Sequence, residues 1–393
     1  MNLKIFTDNI EDTALEQIEL LLSQDAFKDC KVRIMPDVHA GAGCVVGFTA
    51  NLNDKVIPNI VGVDIGCGMS WVKIKGDLDL VKLDEVIKEN IPSGMNVREV
   101  KIDSNVDIEQ LHCYKKLKNI EYLQQSMASL GGGNHFIEVD VDDEGNYYLV
   151  VHTGSRNLGK QVCEIYQNKA LENCSYKKEL ALERKAIIET LKQEGNERLI
   201  EEELIKLSKK YVDKYKLPKD LCYVEGKDKE DYLFDMQIAQ KWAGENRKKI
   251  IDIIVSNLGL EIEEYHETIH NYIGDDNIVR KGAIRARKGE MVLIPMNMRD
   301  GCLICIGKGN LEWNESAPHG AGRLMSRSDA KAKFTVEEFK KQMEGIYTST
   351  ATQETLDEAP MAYKPMEEIV SKIHDTVDIV KTIKPIYNFK ATE

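Results

Sequence analysis

SLGGGNHFIEVDVDDEGNYYLVVHTGSRNLG, residues 129–159, contains two runs with the apolar alternation of strands, HFIEVDV and YYLVVHT, either side of a polar turn centred on Gly145. Turn-forming Asp, Gly and Asn between two such runs read as a β-hairpin. The hairpin puts His135 and His152 on neighbouring strands. Adjacent strands lie about 4.8 Å apart, so the two imidazoles can share a metal centre. Gly131, Gly132 and Gly133, just before Asn134, let the backbone approach a ligand closely, although a glycine run alone is nonspecific.

Working outward, residues 1–160 keep this texture. KVRIM, GCVVGFT, NIVGVDI and SWVKIKG are short β-branched or apolar runs separated by Gly, Asp and Asn, and each is expected to be a strand. From 160 to 258 charged segments with helical periodicity take over, including YKKELALERKAIIETLKQ and ERLIEEELIKLSKKYVDKYK. Their Glu and Lys recur at i,i+4 spacing, as on solvated helix faces without chemistry. Residues 232–259 predict an amphipathic helix packed on the sheet. Strand patterns return in YHETIHNYI, GAIRARKG, EMVLIP and GCLICIGKG, followed by a SAPHGAGR turn, a helical stretch at 334–345 and a mixed tail. Repeats and long Pro/Gly/Ser linkers are absent. The pattern predicts one α+β catalytic domain over 1–393 with a helical insertion at 160–258.

Among 393 residues, 42% are hydrophobic and 30% charged, enough apolar material for a real core. The balance of 53 Lys+Arg against 66 Asp+Glu gives −13, which excludes a protein that coats nucleic acid through bulk charge but allows a local basic groove. No run approaches the roughly 18–20 apolar residues of a membrane span, and MNLKIFTDNIEDTALEQIELL has no signal-peptide pattern. Nine cysteines without a secreted-scaffold spacing favour reduced thiols. A cytoplasmic protein is expected.

Asp64 and Cys67 sit in VGVDIGCGM (61–69), where glycines let the backbone turn sharply enough to aim both side chains at one place. A thiolate can bridge two divalent cations, with carboxylate and imidazoles in the remaining positions. Alone, the pair reads as readily as a buried cysteine. With His135, His152 and His270 it becomes a candidate two-metal set. On a strand, His266 and His270 of HETIH would lie about 13 Å apart, so only one can join the centre, and His270 is chosen. His266, His112 and His374 read as ordinary structural or surface residues. Cys302 and Cys305 in GCLICIG read as a buried strand, because no partner CxxC exists for zinc.

His319 lies in SAPHGAGRLMSR (316–327), followed by Arg323 and Arg327. A neutral imidazole can attack phosphorus, and guanidiniums can stabilise the transferred phosphoryl group. A further metal histidine or a packed turn is the alternative. Asn134 and Arg156 offer additional phosphate contacts. Arg285 and Arg287 share a strand face, either as a phosphate track or as a solvated edge.

Taken in order, these motifs resemble the RtcB family of RNA-splicing ligases, GTP- and manganese-dependent, from MPDVHAGAGCVVG (35–47) to the terminal FKATE. The resemblance implies a single-domain α+β fold peculiar to the family, with mixed sheets around a central cleft holding two Mn²⁺. It implies metal ligation by Asp64, Cys67, His135, His152 and His270, with Cys67 between the ions, and guanylylation of His319. Asn134, Arg156, Arg323 and Arg327 would hold phosphates, and Phe136, Glu138, Tyr363 and Lys390 would surround the guanine. Asp37 of MPDVH falls near the centre. The implied reaction joins an RNA 3′-phosphate or 2′,3′-cyclic phosphate to a 5′-hydroxyl through histidine–GMP and RNA-(3′)pp(5′)G, in RNA splicing or repair. RNA ends and GTP are the implied partners, a monomer is expected, and an activator protein is compatible with this reading. One departure is IPMNMRDGCLIC (294–305), with Arg299 and Asp300, where many family members carry a Gly-Ser-Met-Gly-Thr-type loop beside the nucleotide. A manganese-dependent phosphoesterase that opens cyclic phosphates without ligation, and an RNA-binding scaffold, are the competing readings.

Overall fold

The hairpin forms, with His152 on its second strand and His135 one residue before its first. Phe136–Val141 pairs antiparallel with Tyr147–Thr153, and Phe136 stands opposite His152. The computed structural model describes residues 2–211 and 215–391, so part of YVDKYK and the last two residues of FKATE lie outside the described residues. In chain order the elements are β1 (Asn2–Ile5), α1 (Asp12–Leu22), β2 (Lys31–His39), β3 (Val46–Asn51), α2 (Pro58–Val61), β4 (Gly68–Lys75), α3 (Leu80–Asn90), α4 (Ile120–Gln125), β5 (Phe136–Val141), β6 (Tyr147–Thr153) and α5 (Arg156–Asn173). Helices α6 (Lys177–Gln193), α7 (Ile200–Tyr211) and α8 (Gly226–Leu258) precede β7 (Glu261–Ile269), β8 (Asn271–Ile273), β9 (Ile278–Lys281), β10 (Ala283–Arg285), β11 (Met291–Asn297), β12 (Gly301–Gly307) and β13 (Ser316–Pro318). The chain closes with α9 (Arg327–Lys333), α10 (Val336–Gln342), α11 (Met366–Ile373) and β14 (Val377–Lys390).

A seven-stranded sheet in the order β11-β12-β14-β5-β6-β4-β7 carries most of the site, and all its pairs are antiparallel. A five-stranded sheet, β1-β2-β3-β9-β8, and the pair β10-β13 complete an α+β fold. The tail, which its sequence leaves mixed, is a central strand. The first half of β14 pairs with β12 and the second with β5, so it splices the two ends of the sheet. Pro385 falls at the register shift between these halves, where a missing N–H is tolerated.

Period-two alternation gives the large sheet two distinct faces. Ile137, Val139, Leu149 and Val151 pack against Ile250, Ile251 and Ile254 of α8, while Phe136, Tyr148 and Val150 face the other way with Met69 and Trp71. Along α8 the buried Tyr232, Met236, Ala239, Ala243, Asn246, Ile250 and Ile254 recur at steps of three and four, as an inward helix face requires. Gly259, in a left-handed conformation, ends the helix.

The helices between 160 and 258 are of two kinds. Leu158, Val162, Tyr166 and Ala170 of α5 are buried, as is the α8 face, whereas Leu207 is the one buried residue named along the described parts of α6 and α7. NIVGVDI differs from its expected strand. Pro58 opens a short helix, and Gly62 at φ 86° closes it into the turn that carries Asp64. No described helix is long and apolar enough to cross a membrane.

Candidate active site

Four segments converge at the edge of the large sheet. The turn 62–67 is tied to the start of β8 by Gly66 N–H to Asn271 O (2.8 Å) and by His270 N–H to Cys67 O (2.9 Å). Behind it, the buried Arg247 guanidinium of α8 donates to Gly66 O (2.9 Å) and Thr153 O (2.7 Å), fixing the carbonyls next to Cys67 and His152. Glycine is required at 154, since a Cβ there would lie 1.9 Å from Asp64 Oδ1.

The Cys67 sulfur lies 3.5 Å from His135 Nε2 and 3.3 Å from His152 Nε2. His135 Nε2 is 3.0 Å from Asp64 Oδ2, and His152 Nε2 is 3.1 Å from His270 Nε2. Two groups result, Asp64–Cys67–His135 and Cys67–His152–His270, each with its ligand atoms within 4.8 Å of one another and with Cys67 common to both. The tautomers bear on what these groups could hold. His135 Nδ1 donates to Leu130 O (2.9 Å) and His152 Nδ1 to Asn134 O (3.3 Å), so each ring, when neutral, presents its Nε2 lone pair to other acceptors. Converging acceptors repel unless a cation lies among them, and a carboxylate–thiolate–imidazole set suits a divalent transition metal.

Electrostatics agree with this arrangement. Burial, reinforced by the neighbouring imidazoles, pushes His152 well below its usual value, and burial with His319 nearby does the same for His270, so both rings are neutral, as a metal ligand must be. Burial would raise Asp64, but the hydrogen bond and charge of a protonated His135 hold its carboxyl below the ordinary range, a part that a cation would take over once that ring is neutral. Burial, then the Asp64 charge, pushes the Cys67 thiol up, so metal binding must release its proton.

His319 sits beside this cluster, its ring centroid 4.7 Å from that of His270. Asp37, fully buried, accepts from His319 Nδ1 (2.7 Å) and from its backbone N–H (3.1 Å), leaving Nε2 with a lone pair. Both histidines line a cleft of about 1300 Å³ together with His152, Asn134, Phe136, Glu138, Arg323, Arg327, Tyr363 and Lys390. Glu358 organises the cationic wall. It accepts from Arg323 (3.1 Å), Lys390 (2.9 Å) and the Tyr363 hydroxyl (2.5 Å), and despite burial these cations draw its carboxyl down to about 2.

Arg156 is placed elsewhere. At φ 56° it opens α5, and its guanidinium donates to Ser129 Oγ (3.1 Å) and Gly94 O (3.0 Å) beneath the Gly131 turn, outside the cleft wall. His266 stacks on Trp71, with centroids 4.3 Å apart. Arg285 pairs with Glu290, and Arg287 with Asp275.

Sequence reading passed over His39, Lys281, Glu358 and Asn388, all of which line the cleft. His39 follows Asp37 by two positions on β2, a same-face relationship visible from strand periodicity, and burial pushes it down to about 4. Two acids buried within the Ala- and Pro-containing TLDEAPMAYK were a comparable signal for Glu358.

Comparison with known proteins adds an independent line. The family described as tRNA-splicing ligase RtcB matches residues 23–120 and 112–391. The chain is 29% identical to the RNA-splicing ligase RtcB of Escherichia coli (strain K12), covering 90% of this chain and 88% of that protein. It is 26% identical to the tRNA-splicing ligase RtcB of Nanoarchaeum equitans (90% and 86% covered) and 25% identical to that of Methanococcus maripaludis (97% and 92%). With its shared-cysteine ligand cluster and the histidine beside it, this chain belongs to the RtcB family.

Proposed function

We propose that the protein is an RNA ligase that joins 3′-phosphate or 2′,3′-cyclic phosphate ends to 5′-hydroxyl ends at the expense of GTP, in RNA splicing or repair. The observation that carries the reading is His319, whose Nδ1–H is anchored on buried Asp37 while Nε2 opens to the cleft beside the metal-type cluster. Asp64, Cys67, His135, His152 and His270 would hold two manganese ions, which supply charge neutralisation at the phosphoryl oxygens. His319 Nε2 attacks the α-phosphorus of GTP, forming a P–N bond as pyrophosphate leaves. Asp37 stabilises the positive charge that develops on the ring.

An RNA 3′-phosphate oxygen then displaces the histidine, giving RNA-(3′)pp(5′)G; a cyclic phosphate is first opened by water. Attack of a 5′-hydroxyl on the 3′-phosphorus expels GMP and seals the strand. Arg323 and Arg327 hold phosphates, and Asn134, Phe136, Glu138, Tyr363 and Lys390 surround the guanine. The assignment of Arg156 to a phosphate requires its guanidinium to leave Ser129 and Gly94. Met296, Asn297 and Met298 of the divergent loop line the cleft, so this loop is where nucleotide choice can differ from relatives. A cytoplasmic monomer with nine free thiols fits the reading.

The test is label transfer from α-labelled GTP with and without Mn²⁺. Acid-labile labelling that vanishes in His319→Ala is expected. Absent labelling, with cyclic phosphates still opened, would establish the phosphoesterase instead.

A further inference from the structure

Asp140 lies two residues beyond Glu138 on β5, so strand alternation turns both carboxyls to the same face of the sheet. Glu138 is 2% exposed and Asp140 0%. One oxygen of each carboxyl and the Cys302 sulfur lie within 4.8 Å of one another. Glu138 has partners. Its Oε2 accepts from Asn388 Nδ2, its Oε1 faces Cys302 Sγ at 3.6 Å, and the Lys390 ammonium attracts it.

Asp140 is in a different position, because no N–H of the described fold reaches either of its oxygens. Opposite it on β14 stands Pro385, which has no N–H, and opposite it on β6 stands Tyr148. The Tyr148 hydroxyl donates to Asp142, which also pairs with Lys381, so neither of these groups serves Asp140. Two carboxylates this close in a dry setting cannot both ionise, and an unpaired buried carboxylate is far costlier than its protonated form.

We propose that Asp140 is a positioning residue: it remains a neutral carboxylic acid, donates its hydrogen bond to Glu138, and thereby holds Glu138 as an ionised acceptor for a nucleobase edge that offers adjacent N–H groups. The nucleobase half of this rests on the reading of Glu138 given above. Burial, and then the negative Glu138, push Asp140 well above the ordinary carboxylate range. Burial raises Glu138 too, but the bond from Asn388 and the charge of Lys390 oppose it there, whereas Asp140 has no such partner, which leaves the shared proton on Asp140. Cys302 keeps its own proton, pushed up by burial and by Asp140.

The first readout needs no nucleotide. An acid whose pKa is raised on folding opposes folding progressively as pH rises from its unfolded value of 3.8 towards the folded one, because only the unfolded chain ionises in that window. Asp140→Asn has no such proton. Its melting temperature relative to the parent protein should therefore rise with pH above the unfolded value of 3.8. Parallel stability curves would overturn the shared proton. Loss of about one metal ion per chain in Asp140→Asn would overturn it differently, by showing that the triad holds a cation.

The second readout is GTP affinity against pH for the parent, Asp140→Asn, Asp140→Leu and Glu138→Gln proteins. The parent should lose about tenfold per pH unit above the titration of Asp140, the slope of one proton. Asp140→Asn, which keeps an N–H donor, should show no such limb. Asp140→Leu should bind about tenfold more weakly at every pH. If Glu138→Gln bound GTP like the parent, the nucleobase contact would fail while the stability curves still judged the proton pair.

Discussion

Replacing Asp37 by Asn tests the nucleophile most directly. Asp37 Oδ2 accepts both the His319 backbone N–H and Nδ1–H, and its Oδ1, buried beside Gly47, has no partner among the described residues. An amide can preserve both bonds only by leaving its NH₂ unsatisfied where Oδ1 was, at a cost of about 1–3 kcal/mol. The flipped amide donates to Nδ1 and drives the imidazole proton onto Nε2, removing the lone pair that must attack. In either orientation the positive ring formed by attack faces a neutral amide in place of a carboxylate. Charge-assisted bonds are worth about 1.5–3 kcal/mol against about 0.5–1.5 for neutral ones, a difference of roughly tenfold in rate. Some population of the wrong tautomer extends this to about 100-fold. The assay is the single-turnover rate of acid-labile labelling from α-labelled GTP, with bound metal and melting temperature measured in parallel. Metal content should not change, because Asp37 belongs to neither ligand group. Labelling within about twofold of the parent, or slowed only in step with lost metal, would refute the role assigned to Asp37.

Cys67→Ala should abolish binding at both metal positions together, since each ligand group needs the sulfur, and elemental analysis should fall by more than one ion per chain. Gly154→Ala should reduce metal content without removing any ligand, because the new Cβ would occupy the place of the Asp64 carboxylate, and calorimetric titration with Mn²⁺ reads the loss. Glu358→Gln should destabilise the chain by about 1–3 kcal/mol in a denaturant melt, having left Arg323 and Lys390 without their shared carboxylate. The sign with pH follows from its depressed pKa: the stabilisation from Glu358 is complete above about 4.5 and fades as pH falls towards about 2, so parent and variant should converge in acid.

The hairpin and the α8 helix were legible because each is written locally, and the grouping of Asp64, Cys67, His135, His152 and His270 was implied by the family resemblance. Strand alternation places His152 by itself, and glycines flanking Asp64 and Cys67 announce a turn. What was not legible depends on partners distant in sequence. β14 looks mixed because its two halves pair with different strands, and Lys384 and Pro385 interrupt the alternation at the handover. NIVGVDI has strand-like composition, yet Pro58 suits a helix start and the backbone must turn at Gly62 to present Asp64. Arg156 illustrates the opposite difficulty. An arginine two residues after Gly154 and close to His152 suggests a phosphate ligand, but its destination depends on loops at 93–94 and 129–131 that sequence spacing does not bring to it.

The net charge of −13 poses a question that the site answers locally. At physiological ionic strength a surface charge is largely screened beyond about 8 Å, so the acidic exterior contributes little to the potential inside the cleft. Within it, Arg323, Arg327 and Lys390 converge on the buried Glu358. That carboxylate holds the cations in position before an anion arrives. A phosphate entering the cleft then gains their field without the cost of gathering flexible side chains, which is the condition under which preorganised charge favours transfer over mere binding. The guanidiniums and ammonium gathered on Glu358 and the His319 ring line the same cleft, so these positive groups of an acidic protein are concentrated beside the imidazole rather than spread over the surface.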